Sequence, residues 1–370
     1  MKIIVPREVN AANVNAQILN ARSLLSRFRR QNCEWHCASY GNADPAVSSN
    51  PAVRVTRLAR WRFWAWHMAL FYQQSADAIF YPGFHWFDRI GLQLRDQMSR
   101  SIPVIATFES IDGGPEREEQ LAAIAGHPVY CHRVSHEVLA RIDYVMQRAD
   151  HIIAISPFLA KVARELYGDK CSFLPLGVDL KIFFPSDRPR SKRTKKVLNV
   201  GTVYPRKRPE VFLTLAERFC DVQFVWIGEG EQRSAMIAET ARRSLRNLNF
   251  SGALTPVQIA EEMRTADVFV MPSHSEGVPK ATQEAAASGI PCVAFGHYEP
   301  ISIIDGKNGY LVWSDNELER RVGELLEDSK LCEEMGRRGH EISRAWDWAT
   351  VAPQWEGRLL EIIDDLMRVG

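Results

Sequence analysis

Short apolar runs rich in β-branched residues alternate along this chain with segments whose apolar positions fall three and four apart. The first pattern reads as buried strands and the second as helices. Met1–Val5 reads as a strand. Asn10–Arg30 reads as a helix, with Val14, Ile18, Leu24 and Phe28 among its apolar positions, and a strand follows near Cys33–Ser39. That is the βαβ opening of an open α/β sheet. Strands at Asp77–Tyr81 and Val104–Phe108, a helix over Glu137–Arg148, a strand over Ala149–Ser156 and a helix over Pro157–Tyr167 continue it. A second series begins at Val197–Val200 and runs through helix Pro209–Phe219, strand Val222–Ile227, helix Glu231–Leu245, strand Leu248–Ser251 and helix Ile259–Thr265. Helices are expected over most of Asn316–Ser343. Between the two series, Ser186–Lys196 (SDRPRSKRTKK) is polar and basic without apolar periodicity, and reads as an interdomain linker. No tandem repeat is visible, so two domains describe the chain better than an array.

The stretch Val268–Phe295 organises the second series. VFVM is a strand, SHSEG a loop, KATQEAAAS a strong helix former closed by Gly289, and IPCVAF the next strand. Pro279 suits the first turn of the helix, where a missing N–H costs nothing. A strand–loop–helix unit of this kind aims the free N–H groups of the helix start beyond the carboxyl end of the strand, which favours an anion such as phosphate. Glu276 stands on the loop and Glu284 in the helix, eight residues apart.

Val53–Gln74 (VRVTRLARWRFWAWHMALFYQQ) stands apart, joining basic residues to Trp61, Phe63, Trp64, Trp66, Phe71 and Tyr72. Read as a helix, it carries Arg54, Arg57, Arg60 and Arg62 near its start. It is either a core helix with a basic end or an interfacial segment resting on anionic lipid.

With 370 residues the chain suits two ordinary domains, each able to bury a core. A formal net charge of +1 argues against wholesale nucleic-acid binding. The N-terminus offers only Ile3-Ile4-Val5 before Pro6, too little for a signal peptide, and no apolar run approaches the roughly 18 residues of a membrane span. The expected location is the cytoplasm, with peripheral attachment at the inner membrane face if the aromatic segment touches lipid. The seven cysteines lack framework spacing, and Cys33 and Cys37 around His36 have no second ligand pair, so reduced thiols and no structural metal are expected.

Glu276-Gly277-x-Pro279-Lys280, then Gln283-Glu284-Ala285, then Ser288-Gly289-Ile290-Pro291-Cys292-Val293, resembles the E-x7-E signature of glycosyltransferase family 4. Ala149–Ser156 and the following Pro175-x-Gly177-Val178-Asp179, ending in Phe184-Pro185, resemble the end of that family's N-terminal domain. The resemblance covers Ala149–Trp348 best. It implies an α/β chain of the GT-B type: two doubly wound Rossmann-like domains facing a cleft, with a C-terminal helix crossing back. The domains would be an acceptor domain over 1–186, a nucleotide-sugar domain over 187–345, and the returning helix over 346–370, marked by Trp346, Trp348 and Trp355. A terminal helix packed on the second domain is the alternative.

By the same resemblance, Lys207 binds the donor diphosphate. Thr202 occupies a position that is often Arg in the family, so Arg206 or Arg208 would supply the second charge. Glu276 would contact the donor sugar, Glu284 the ribose hydroxyls, and the amides of Gly277, Val278 and Lys280 the diphosphate. The loops Gly228-Glu229-Gly230 and Gly252-Ala253-Leu254 would line the base. The loop after the first strand, Arg7–Asn13, lacks the family's glycines, and Glu109 stands where the family commonly has a histidine. Glu109 joins Glu276 and Lys207 as a catalytic candidate, and Asn13, His85 and Asp112 are the acceptor-side candidates, with solvated loop residues the alternative for His85, Glu109 and Asp112. No Asp-x-Asp occurs, so the charge would be met without a metal and no cofactor is expected. The resulting expectation is a retaining hexosyltransferase acting from a UDP-sugar or GDP-mannose type donor onto a glycan or polyprenyl-linked acceptor. The rivals are a non-catalytic carbohydrate-binding protein, a sugar-nucleotide epimerase and a pyridoxal-dependent phosphorylase. A dinucleotide dehydrogenase is disfavoured, because no G-x-G-x-x-G follows the first strand.

Overall fold

The structure is a computed structural model that describes residues 1–12, 16–30, 32–59, 62, 65–66, 76–83, 88–97, 102–186 and 194–369. The chain divides into two compact units. One comprises Met1–Asp112, Arg133–Gly177 and Trp348–Gly370, and the other Gly113–His132 and Val178–Asp347.

The first unit is built on a sheet of β1 (Lys2–Glu8), β2 (Glu34–Ser39), β3 (Val53–Arg57), β4 (Ala78–Tyr81), β5 (Val104–Phe108), β6 (His151–Ala154) and β7 (Cys171–Phe173). Their order is β3-β2-β1-β4-β5-β6-β7, and the pairings are parallel. The central strands β4 and β5 are buried at every position, which is why they read as continuous apolar runs rather than as alternation. Helices α1 (Ala16–Leu25) and α2 (Asp88–Arg95) belong here. So do α4 (His136–Arg148) and α5 (Pro157–Tyr167), whereas α3 (Pro115–Ala125) lies in the second unit. The start of α5 follows from its sequence: Ser156 caps the amide of Leu159 at 3.0 Å, and Pro157 fills the first position, where no N–H is needed.

The second unit repeats the plan with β8 (Lys196–Val200), β9 (Gln223–Ile227), β10 (Leu248–Gly252), β11 (Val268–Met271), β12 (Cys292–Phe295) and β13 (Gly309–Val312). Their order is β10-β9-β8-β11-β12-β13, again parallel. Its helices are α6 (Glu210–Arg218), α7 (Arg233–Arg242), α8 (Pro256–Arg264), α9 (Lys280–Ala287), α10 (Asp315–Glu327) and α11 (Ser329–Ser343). Phe212, Phe224, Trp226, Phe269 and Phe295 are buried at its centre. Each sheet reverses its winding once, between β1 and β4 in the first unit and between β8 and β11 in the second. At such a point the loops leaving the two strands part and leave a crevice at the carboxyl edge.

Several boundaries differ from the sequence reading. The first strand runs on to Glu8, so Arg7 and Glu8 are strand residues rather than loop. Its register against β2 shifts between Ile4 and Glu8, the interval that holds Pro6, which has no N–H to give a ladder. Val53–Arg57 is not the start of a helix but the edge strand β3, paired with β2 from Trp35↔Val53 to Ser39↔Arg57. Its β-branched Val53, Val55 and Thr56 suit a strand, and Arg54 and Arg57 are exposed. Trp66 is half-buried and packs with Tyr40 and Leu58 on Ala38, its ring edge-on to His36. Arg60, Trp61, Phe63, Trp64, Phe71 and Tyr72 lie outside the described residues, as do Asn13, His85 and residues 187–193 of the basic stretch.

The chain passes between units at Gly177, ahead of the basic stretch. Val178 donates its amide to Trp346 O at 2.7 Å, and Val178 and Phe183 are buried in the second unit's core, which fixes that segment there. From Trp348 the chain belongs to the first unit as α12 (Trp348–Val369). Trp355 is fully buried, with its Nε1 donating to Pro175 O at 2.7 Å. The buried Glu356 carboxylate accepts from the amides of Arg29 (2.9 and 3.0 Å) and Arg30 (3.0 Å), just after α1. Glu356→Ala leaves those amides unpaired, so it should destabilise by about 1.5–3 kcal/mol. Thermal unfolding checks this; an unchanged melting point would show that α12 does not hold the end of α1 through Glu356.

Candidate functional site

The carboxyl ends of β8 and β11 flank the reversal of the second sheet, and the residues singled out from the sequence collect there. Asn199, the fourth residue of β8, donates its side-chain amide to Val270 O at 2.7 Å and ties the strands where their loops diverge. After β8 the chain passes Gly201, Thr202 and Val203 into a single 3₁₀ turn, Pro205–Lys207. After β11 it passes through Ser273–Val278 to Pro279, which stands as the cap of α9, one position earlier than expected.

These loops meet through one carboxylate. Lys207 Nζ lies 2.6 Å from Glu276 Oε1, and Arg206 Nη1 lies 3.2 Å from Glu276 Oε2. Arg206 also donates to Ser275 O. Glu276 is buried, which by itself would raise its carboxyl. The charges of Lys207 and Arg206 and hydrogen bonds from Lys207 and Ser273 outweigh that and hold it below the usual carboxylate range. Beside this triad, the amides of Gly277 and Val278 have no hydrogen-bond partner among the described residues and stand at the start of α9. Two cations, two free N–H groups and a helix start thus converge where a dianionic group can be held.

The strands alongside supply a floor. Gly201 N donates to Ile227 O at 2.9 Å, Val203 N to Glu229 O at 2.9 Å, and Gly228 N to Gly252 O at 2.9 Å. Gly228 has φ +147°, and a Cβ there would overlap Gly201 O, so only glycine lets these loops lie against one another. Thr202 and Glu229 are exposed, with Glu229 3.8 Å from Arg233 Nε, and Leu254 is half-buried.

Glu284 is half-buried in α9, and its carboxyl has no hydrogen-bond partner among the described residues. Burial lifts it to about 7, with Lys280 opposing the shift. Among the described residues, no group of three His, Cys, Asp or Glu is placed to hold a metal ion, and Cys33 and Cys37 are buried thiols.

The sequence reading did not anticipate the surroundings of Arg208. Its guanidinium, 2.7 Å from His274 Nε2, reaches both oxygens of Asp315 at 2.9 and 2.6 Å and lies 5.4 Å from the Phe295 ring centre. His274 is stacked on Tyr130 at 4.9 Å; Tyr130 comes from the Gly113–His132 segment, which the strand-by-strand reading had left in the first domain. Burial first, then the charge of Arg208, depresses His274, so its Nε2 is an acceptor.

In the first unit, Glu109 follows β5, half-buried, and Asp112 Oδ2 accepts from Ser110 Oγ at 2.8 Å. Glu109 is one of several charges around the buried Arg7: burial lowers the Arg7 pKa, and Asp88, Glu109 and Glu8 oppose the shift. Glu8 and Asp88 are both buried; neither was singled out from sequence, because Glu8 read as a loop residue and Asp88 stood in no motif.

Two family models match the chain in succession: Glycosyltransferase Family 4 over residues 21–182 and Glycosyl transferases group 1 over residues 182–342. The chain belongs to glycosyltransferase family 4. It is 28% identical over 203 residues to a D-inositol 3-phosphate glycosyltransferase of Segniliparus rotundus, covering 50% of this chain and 45% of that protein. It is 30% identical over 167 residues to the UDP-Gal:alpha-D-GlcNAc-diphosphoundecaprenol alpha-1,3-galactosyltransferase of Escherichia coli, covering 39% and 40%. The matches thus span about half or less of those two relatives. Among solved structures, the sucrose-phosphate synthase of Thermosynechococcus elongatus superposes over 100% of both chains with a TM-score of 0.78 at 20% identity, a likeness of fold. The family 4 chain thus has the two doubly wound α/β units of the GT-B type.

The raised Glu284 carboxyl makes a prediction with a definite sign. The folded chain holds this proton more tightly than the unfolded chain, whose glutamate titrates near about 4.3. Its contribution is therefore full below that value, is lost as pH rises through about 7, and levels off above it. Glu284→Gln should flatten this part of the stability profile and raise the melting point most at alkaline pH. Melting curves from pH 4 to 9 check it; parallel profiles for wild type and variant would show that Glu284 is not desolvated.

Proposed function

We propose that this chain transfers a sugar from a nucleotide-sugar to a glycan or polyprenyl-linked acceptor, with retention of configuration and without a metal. The observation that carries the reading is the meeting of Lys207, Arg206, Glu276 and the free amides of Gly277 and Val278 at the β8/β11 reversal. A departing nucleoside diphosphate gathers negative charge, and fixed cations with preoriented N–H groups are what stabilise it. Lys207 and Arg206 would turn from Glu276 to the phosphates, leaving the Glu276 carboxylate to accept from donor-sugar hydroxyls. Glu284, whose carboxyl has no hydrogen-bond partner among the described residues, suits the two ribose hydroxyls, and the Gly228–Gly230 and Gly252–Leu254 loops suit the base. The donor is of the UDP-sugar or GDP-mannose type, and the E. coli relative, named for UDP-Gal and a diphosphoundecaprenol-linked acceptor, supports the first. Front-face attack within an ion pair accounts for retention without a protein nucleophile, with Glu109 proposed as a catalytic group and Asp112 on the acceptor side.

Thermal shift with UDP-, GDP- and ADP-sugars tests the donor class, since a specific ligand raises the melting point by mass action. With the donor so found, turnover should persist in EDTA. Lys207→Ala should lose about 1.5–3 kcal/mol of charge-assisted binding, and more in the transition state, while remaining folded. Activity restored only by Mn²⁺ after chelation would refute the metal-free reading, and full activity in Lys207→Ala would remove Lys207 from the site.

A peripheral membrane contact is a second proposal. No helix of the described residues is long and apolar enough to cross a bilayer, and Arg54 and Arg57 are exposed on the edge strand β3. At about 1 kcal/mol per basic residue, attachment to anionic lipid would be weak and salt-sensitive. Sedimentation with phosphatidylserine vesicles should capture the protein at low salt and lose it in Arg54→Gln/Arg57→Gln. Equal capture of both proteins would exclude this strand.

A further inference from the structure

Arg208 has the left-handed backbone at φ 54° and ψ 55°, a region where a Cβ is crowded and glycine or asparagine is the ordinary occupant. Holding a residue with a Cβ there is costly, and such a residue persists only where its surroundings over-determine it. Here they do. The residue closes the 3₁₀ turn that carries Arg206 and Lys207, donating its amide to Pro205 O at 3.0 Å and accepting from Val211 N at 3.1 Å. Its side chain crosses to three other elements. It forks onto Asp315, the first residue of α10. It meets the unprotonated Nε2 of His274, two residues before Glu276. It also covers the ring of Phe295 at the end of β12. His274 is itself fixed, stacked on Tyr130 and edge-on to Phe295 at 4.6 Å. One guanidinium therefore joins the loop that bears Lys207 to the loop that bears Glu276.

We propose that Arg208 is a positioning residue: anchored by Asp315 and His274, it holds the left-handed turn that aims Lys207 and Arg206 at the diphosphate site. The proposal rests on the nucleotide-sugar reading for its consequence in turnover, but not for the anchoring itself. It also revises the expectation that Arg208 could supply a second cation to the phosphates, because its guanidinium is forked onto Asp315 and meets His274 rather than Glu276. A lysine cannot replace it, since a point charge does not fork across both oxygens of Asp315.

Two variants remove the anchor from opposite ends. Arg208→Asn keeps a residue that tolerates the left-handed backbone, and Asp315→Asn leaves Arg208 in place and changes a side chain that is half-exposed. Hydrogen–deuterium exchange of the ligand-free protein reads the anchor directly. The peptide over residues 201–211 should exchange about tenfold faster in both variants, with the melting point retained. With the donor from the thermal-shift panel, kcat/KM should fall roughly ten- to hundredfold in each, as expected for a misplaced charge. The double variant should be no worse than either single one, and Arg208→Lys should not recover activity. Exchange and turnover at wild-type values in Arg208→Asn would overturn the proposal. So would loss of turnover in Arg208→Asn with Asp315→Asn unaffected, since Arg208 would then act on the ligand itself. A wild-type protein that turns over no nucleotide-sugar would refute the glycosyltransferase reading, and exchange alone would then decide the role of Arg208.

Discussion

A buried carboxylate must be paired, and the second unit is arranged around that demand. Glu276 is 9% exposed, and removing such a charge from water is costly unless cations and donors face it. Lys207 and Arg206 meet it from the loop after β8, and Ser273 from its own loop. This pairing decides how the two loops close over the reversal of the sheet. The glycine at 228, the tie from Asn199 to Val270 and the cap of α9 at Pro279 all serve the same local geometry. One carboxylate faces two cations there, so a positive charge is left over, and a diphosphate would offer the cations a partner of higher charge. On the proposed reading the carboxylate holds the two cations in register until an anion arrives.

Arg208 is one of three non-glycine residues with positive φ among the described residues, with Ser244 and Glu299. Arg208 pays for a left-handed backbone with contacts to Asp315, His274 and Phe295, all at the carboxyl edge of the same sheet. Around it, Tyr130, His274, Phe295 and His297 form a ring cluster, and Trp313 packs 5.2 Å from His297. The Gly113–His132 segment is bound into the second unit through these rings, although most of the chain on either side of it belongs to the first.

Strands β9, β11 and β12 were legible because they are buried almost throughout, which leaves apolar runs between loops, whereas β13 (Gly309–Val312) was not singled out. The E-x7-E stretch was legible because a helix of alanines between Pro279 and Gly289 has definite ends. Val53–Arg57 was misread because an edge strand of five residues was swallowed by the aromatic run beside it. The passage between units was placed too late because the basic stretch is polar, whereas Val178 and Phe183, earlier in the chain, are the residues whose burial fixes the passage. The anchoring of Arg208 was not legible at all. Its partners lie 66 and 107 positions away in sequence, and only the winding of the sheet brings them together.

The central claim is that Lys207 is held by Glu276 in readiness for a diphosphate. Isothermal titration in EDTA, comparing each nucleoside diphosphate with its nucleoside for uridine, guanosine and adenosine, tests it most directly. For the base that the site accepts, the diphosphate should bind at least about tenfold more tightly than the nucleoside, consistent with one or more charge-assisted contacts. In Lys207→Met that ratio should fall towards one while nucleoside affinity is kept. A ratio that is the same in wild type and Lys207→Met would contradict the account.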